Sequence, residues 1–252
     1  MAPQANQPGV AMVVGVGPGL GAALVRRFAS GEHAAAGSAI GGYAVAMIAR
    51  SREFMDGLAA EVKAAGGRTL AVTADVGDAG QVGSAFDAVR SNLGTPEILL
   101  YNAGSGVWGT IAEITPEQYE QSWRVNAYGA FLCAKQAAPD MLANKRGVML
   151  FTGATAGIKA GPKSVAFGPA KFAVRGLAQS LARDLGPRGI HVAYVNVDGI
   201  IDIPHIRKQM PSLKDEDMLK PAAIAETYWH LANQDPSAWT HELDVRPFKE
   251  KF

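Results

Sequence analysis

The stretch Val10 to Phe28, VAMVVGVGPGLGAALVRRF, constrains this chain most, because an apolar run breaks into glycines at every second position and then resumes with helical spacing. A buried strand ending in Gly15-Val16-Gly17-Pro18-Gly19-Leu20-Gly21 and turning into Ala22-Ala23-Leu24-Val25 has the layout of a phosphate-binding strand–turn–helix. Glycine permits positive φ in the tight turn, and the missing Cβ lets backbone N–H groups approach a pyrophosphate. The helix N-terminus adds unpaired N–H groups and a positive dipole end. Close packing of helix on strand is the alternative reading of the glycines, and the rest of the chain decides between them.

With 252 residues, 48% of them hydrophobic, the chain can bury a large core. Its 24 Lys+Arg against 23 Asp+Glu give no global charge that would draw it to nucleic acid or to an acidic membrane surface. The single Cys133 cannot form an internal disulfide, and no Cys/His cluster has zinc-ligand spacing, so no metal is expected. Residues 1–9, MAPQANQPG, have neither a basic n-region nor an apolar core and read as a flexible tail. Apolar runs end well short of the roughly 18 to 20 residues of a membrane span. A soluble, cytoplasmic protein is the expectation.

Strand and helix patterns alternate along the chain. After the first helix, the Gly/Ala-rich 31–42 segment reads as an enlarged loop before a strand over Tyr43–Ala49. A helix follows through Phe54, Leu58 and Val62, then a strand at Thr69–Thr73, a helix from about Gln81 to Leu93, and a strand at Glu97–Tyr101. Thr115-Pro116-Glu117-Gln118 is a helix start, with Thr as N-cap and Pro at the first helical position, and the apolar period runs on to Leu142. Gly147–Thr152 and His191–Val197 are strands flanking a long helix over Ala166–Leu185, and Trp239–Pro247 reads as a final edge strand. This alternation specifies α/β architecture, a single Rossmann-type doubly wound parallel sheet over residues 10–252. Turns bearing reactive or polar groups, at Gly15, Arg50, Asp75, Asn102 and Asp198, all fall at carboxyl ends of strands, where such sheets bind ligands.

In these motifs the sequence resembles the short-chain dehydrogenase/reductase family over essentially its full length. The resemblance rests on the GxxxGxG turn at Gly15, Gly19 and Gly21, on Asp75-Val76, Asn102-Ala103-Gly104 and Val125-Asn126, and on the lysine of a YxxxK-like helix, Lys171. It implies NAD(H) or NADP(H) as cofactor and a homodimer or homotetramer. Gly15, Gly17, Gly19 and Leu20 would then receive the pyrophosphate and Asp75 and Val76 the adenine, and Asn102, Ala103 and Gly104 would also bind the cofactor. Lys171 would grip the nicotinamide ribose, while Gly199 and Ile201 would meet the carboxamide. An NAD binder usually has an acid after the second strand; Ala49-Arg50-Ser51-Arg52 offers two guanidinium groups instead, so NADP(H) is favoured, with NAD(H) as the alternative.

The same resemblance exposes a departure. The family completes carbonyl reduction with a tyrosine four residues before the lysine, a serine about a dozen residues upstream of that tyrosine, and an asparagine that anchors a relay water. Asn126 and Lys171 are retained, but Phe167 stands at the tyrosine position and Ala154 at the serine position. Neither side chain can donate a proton or a hydrogen bond. Loss of the general acid should cost on the order of 10²- to 10⁴-fold in rate. Thr155, Ser164 and Tyr128 are the candidate substitute hydroxyls, Thr155 first because it adjoins Ala154. Residues 202–221 resemble the family's substrate lid, and their Ile206, Met210, Leu213 and Met218 suit a hydrophobic substrate, such as a carbonyl or enone, or a hydrophobic partner, with packing of the lid onto the body as the alternative. Two functions follow: an oxidoreductase with an altered catalytic set, or a catalytically impaired dinucleotide-binding protein serving as sensor or assembly subunit.

Overall fold

The computed structural model describes residues 8–30 and 42–250. Most of the expected N-terminal tail and nearly all of the 31–42 loop lie outside the described residues. Strand β1 (Val10–Val14) leads through the glycine turn into α1 (Leu20–Ser30), followed by β2 (Ala44–Ala49), α2 (Arg52–Ala64), β3 (Arg68–Thr73) and α3 (Ala79–Asn92). The second half runs β4 (Pro96–Tyr101), α4 (Pro116–Trp123), α5 (Gly129–Asn144), β5 (Gly147–Thr152), α6 (Phe167–Leu185) and β6 (Ile190–Val197). Short strand β7 (Ile200–Ile201), helix α7 (Pro204–Gln209), short strand β8 (Met218–Leu219), α8 (Pro221–Ala232) and β9 (Glu242–Val245) complete it.

Seven strands form one sheet in the order β3-β2-β1-β4-β5-β6-β9, parallel throughout. The chain steps outward from β1 to β3 and then returns beside β1 as β4, so the connections leaving β1 and β4 diverge to opposite faces and open a crevice at their carboxyl ends. Strands β1 and β2 are continuously apolar because both faces are covered. Val10, Met12 and Val14 point into the core beneath α3, α5 and α6, while Ala11 and Val13 point into the core beneath α1, α2 and α8. The doubly wound α/β architecture expected from the sequence is therefore the one observed.

Several boundaries differ for local reasons. Helix α3 starts earlier than the apolar period suggests because the Asp78 carboxylate caps it, accepting from Gln81 N at 2.9 Å. The expected Thr115 N-cap holds at α4 and is completed as a capping box, Thr115 Oγ1 accepting from Gln118 N at 3.2 Å and the Gln118 side chain accepting from Thr115 N at 3.0 Å. The single helix expected through Leu142 is interrupted: Arg124–Tyr128 forms a π-helical turn between α4 and α5. The last strand is shorter than its sequence pattern. Trp239 instead stacks on His191 with ring centroids 4.9 Å apart, and Thr240 exchanges two hydrogen bonds with the Gln234 side chain, both at 2.8 Å. No helix among the described residues is long and apolar enough to cross a membrane.

Candidate active site

The glycine turn fits as its sequence requires. Gly15 has φ +94°, and a Cβ there would lie 2.4 Å from the backbone N of Ala103. Only glycine permits that conformation and that approach of β1 to β4. Gly19 N–H and Ala22 N–H both close on the carbonyl of Gly17, at 2.8 and 3.1 Å. Leu20 and Gly21 begin α1, where N–H groups have no intrahelical partner. Nothing lies within 4 Å of where a Cβ on Gly17 would project, which leaves an open cradle over this helix end.

Two cavities meet at this turn, both bordered by Gly15, Gly17, Pro18, Asn102 and Gly104. The first, about 480 Å³, lies toward β2 and β3 and brings together Arg50, Ser51, Asp75, Val76 and Ala103. Arg50 and Ser51 are exposed at its border. Arg52 is turned away, its Nε 3.1 Å from Asp56 Oδ1. One oxygen of Asp75 accepts from Gly77 N at 2.8 Å, closing a strand-end turn. The second cavity, about 770 Å³, lies toward β5 and β6 and is bordered by Gly19, Leu20, Ala154, Thr155, Phe167, Lys171, Gly199 and Ile201. The expected cofactor-binding residues all border one cavity or the other, as do Ala154, Thr155 and Phe167, whereas Asn126, Tyr128 and Ser164 border neither.

Asn102 links the two halves. Its Nδ2 donates to Gly15 O at 2.8 Å, and its Oδ1 accepts from Thr152 Oγ1 at 3.3 Å. Thr152 Oγ1 also meets the buried Tyr228 hydroxyl at 2.7 Å. Asn126 sits in the π-helical turn, fully buried, its Nδ2 donating to Ser122 O at 2.8 Å and to Ser105 O at 3.0 Å. Its Oδ1 is buried without a partner among the described residues. A Cβ on Gly104 would lie 3.3 Å from that Oδ1 and 3.7 Å from Lys171 Nζ, so both polar atoms face one point.

Lys171, on the first turns of α6, is 5% exposed and donates from Nζ to Thr152 O at 3.0 Å. Burial away from water lowers its ammonium from the ordinary lysine value to about 8. The Phe167 ring lies 5.6 Å from Nζ, and its other neighbour is the Trp108 ring at 4.9 Å. Trp108, which the sequence pattern does not single out, is placed by the β4–α4 loop: Gly109 N–H bonds Lys163 O at 2.7 Å and so draws the loop against the segment leading into α6. Trp108 is 61% exposed and forms an apolar wall with Phe167.

The substitute hydroxyls separate clearly. Tyr128 does not border either cavity; it stacks between Trp123 and Phe131, at 5.6 and 6.3 Å. Ser164 is buried and donates to Gly161 O at 2.7 Å, also away from the cavities. Thr155 borders the second cavity but donates its proton to Asp198 Oδ1 at 2.6 Å, leaving oxygen lone pairs for any ligand. Asp198 is itself buried. Beyond it, β7 pairs with β8 and draws the two ends of the 202–221 segment together, with Met218 and Leu219 buried and Met210 exposed. Ile203 reaches back to the glycine turn, its Cγ2 2.6 Å from a Cβ placed on Gly19.

The short chain dehydrogenase family model matches residues 9–211. This chain belongs to the short-chain dehydrogenase/reductase family. The versicolorin reductase of Emericella nidulans is 31% identical over 183 residues, 73% of this chain and 66% of that protein; the match thus spans just under two thirds of that relative. A crystal structure of a short-chain dehydrogenase from Rhodopseudomonas palustris is 32% identical, with 96% of this chain and 100% of that one covered at a TM-score of 0.81. A metagenomic short-chain oxidoreductase crystallised in complex with NADP is 26% identical, covering 96% and 97% at a TM-score of 0.80. Family membership leaves the roles of Phe167, Ala154 and Lys171 to the chemistry of the site.

Proposed function

We propose that this chain is an NADP(H)-preferring oxidoreductase that reduces a hydrophobic carbonyl or enone with an altered catalytic set. The observation that carries the reading is the pair of cavities meeting over the glycine turn, with a guanidinium at one end and Lys171 at the other. The open cradle at Gly17, the first-turn N–H groups of α1 and the unpartnered Asn126 Oδ1 fit a dinucleotide rather than a filled core. Its NADP-bound relative, at 26% identity, supports the cofactor class.

In this reading Gly17, Gly19 and Leu20 receive the pyrophosphate, Arg50 and Ser51 the 2′-phosphate, and Asp75 with Val76 the adenine. Lys171 holds the ribose hydroxyls, and backbone groups at Gly199 and Ile201 hold the carboxamide. A reduced nicotinamide supplies hydride when bound. Trp108, Phe167 and Ile203 exclude water and favour a flat apolar substrate. Thr155, fixed by Asp198, accepts a hydrogen bond. The residues from 10 to 252 act as one domain with 202–221 as substrate lid, in a cytoplasmic homodimer or homotetramer.

Phe167 and Ala154 support a second reading, a dinucleotide-binding protein without turnover. NADPH titration by fluorescence, followed by a panel of ketones and enones, separates the two. Turnover by the unaltered protein that is lost in Lys171→Ala, with the fold intact, supports the enzyme. NADPH binding without turnover, together with ketone reduction appearing in Phe167→Tyr/Ala154→Ser, supports the sensor.

A further inference from the structure

Resting on the oxidoreductase reading, we propose that Lys171 Nζ is itself the proton donor of this site, delivering a proton directly to the oxygen of the substrate. The inference follows from where the labile protons of the second cavity point. Asn102 Nδ2 is held by Gly15 O, Thr152 Oγ1 is shared between Tyr228 and Asn102, and Thr155 has given its proton to Asp198. The indole N–H of Trp108 is not an acid at accessible pH. Lys171 alone carries three N–H bonds: Thr152 O takes one, a ribose hydroxyl would take a second, and the third remains for the substrate, on a side chain that borders the cavity beside the Phe167 ring.

The step balances. An N–H bond of the ammonium breaks as the O–H bond forms on the carbonyl oxygen, while the carbonyl carbon takes a hydride from the reduced dinucleotide. The neutral amine left behind regains a proton from solvent along the side of Asn126, whose Oδ1 faces the same point beside Gly104 as Nζ does.

Burial makes the amine a matched acid, lowering its pKa to about 8, with no charged neighbour contributing. The groups around it are uncharged on the β4, β5 and π-turn sides: Asn102, Thr152 and Asn126. On α6, Phe167 carries no charge. On β6, the Tyr194 hydroxyl lies beneath Gly157 alongside Lys171 Cβ and is pushed up to about 12 by burial. Tyr228 of α8 is raised by the same cause, and Asp198 is held by Thr155 and lies 3.8 Å from Arg246. Neither tyrosine supplies a second acid near pH 8. Glu250, exposed at the end of the described chain, also borders the cavity and is included in the test.

Two measurements test the assignment on the full chain. The first follows acetylation of Lys171 by acetic anhydride against pH in the cofactor-free protein, located by mass spectrometry; half-maximal reactivity is expected near pH 8. The second follows ketone reduction against pH: the rate should fall about tenfold per unit above pH 8 in the wild type, and Lys171→Arg, whose guanidinium keeps its proton, should lose ketone reduction while still binding NADPH. An amine titrating above pH 10, a limb that survives unchanged in Lys171→Arg, or a limb that vanishes in Glu250→Gln instead, overturns the lysine assignment alone. Failure of the wild-type protein to bind NADPH overturns the oxidoreductase reading itself.

Discussion

Replacing Arg50 by alanine separates a phosphate contact from a merely exposed arginine. Arg50 is exposed where the first cavity meets β2, no carboxylate follows that strand, and Arg52 is engaged with Asp56. A hydrogen bond to a charged group contributes about 1.5–3 kcal/mol. Solvent exposure lowers this to roughly 1–2 kcal/mol. At about 1.4 kcal/mol per tenfold, Arg50→Ala should weaken NADPH roughly 5- to 30-fold. NADH lacks the 2′-phosphate, so its dissociation constant should stay within about threefold. Fluorescence titration of both dinucleotides on wild type, Arg50→Ala and Arg52→Ala measures the ratio directly. An unchanged NADPH-to-NADH ratio in Arg50→Ala refutes the phosphate clamp. A ratio that collapses only in Arg52→Ala assigns the contact to the wrong guanidinium.

Gly15→Ala forces a Cβ to 2.4 Å from Ala103 N at φ +94°, so the melting temperature should drop and NADPH binding should be lost; an unchanged melting curve would contradict the close β1–β4 approach. Tyr228→Phe deletes the hydroxyl bonded to Thr152 Oγ1 and should lower stability by about 1–2 kcal/mol in urea titration, whereas an unshifted midpoint would show that the buried bond contributes nothing. Burial depresses the His191 pKa below its ordinary 6.5, so the folded chain favours the neutral ring. The stability this provides is present above about pH 6.5 and is lost as pH falls below it, and His191→Phe should flatten that decline. Parallel wild-type and variant curves between about pH 7 and 5 would exclude His191 as a source of acid sensitivity.

The parts of this molecule that are legible in its sequence are those determined within a few residues. The glycine turn, the Thr115 cap and the apolar strands each carry their own steric or solvation argument, and together they specify a parallel sheet whose carboxyl edge collects Arg50, Asp75, Asn102 and Asp198. The missing hydroxyls at Ala154 and Phe167 are legible for the same reason, since lacking a proton is a property of the residue itself. Which protons remain is not. Thr155 is turned by Asp198, 43 residues later; Thr152 meets Tyr228 across 76 residues; and Trp108 reaches Phe167 because two loops bond at Gly109 and Lys163. The π-helical turn that aims Asn126 inserts a residue into a helix whose apolar period runs through it without a break. Local pattern therefore identifies the hydroxyls that are missing, while long-range contacts occupy the hydroxyls that remain and leave the buried Lys171 amine beside the cavity. That division also explains why Thr155, first among the substitutes by its place beside Ala154, is better suited by geometry to accept a hydrogen bond than to donate a proton.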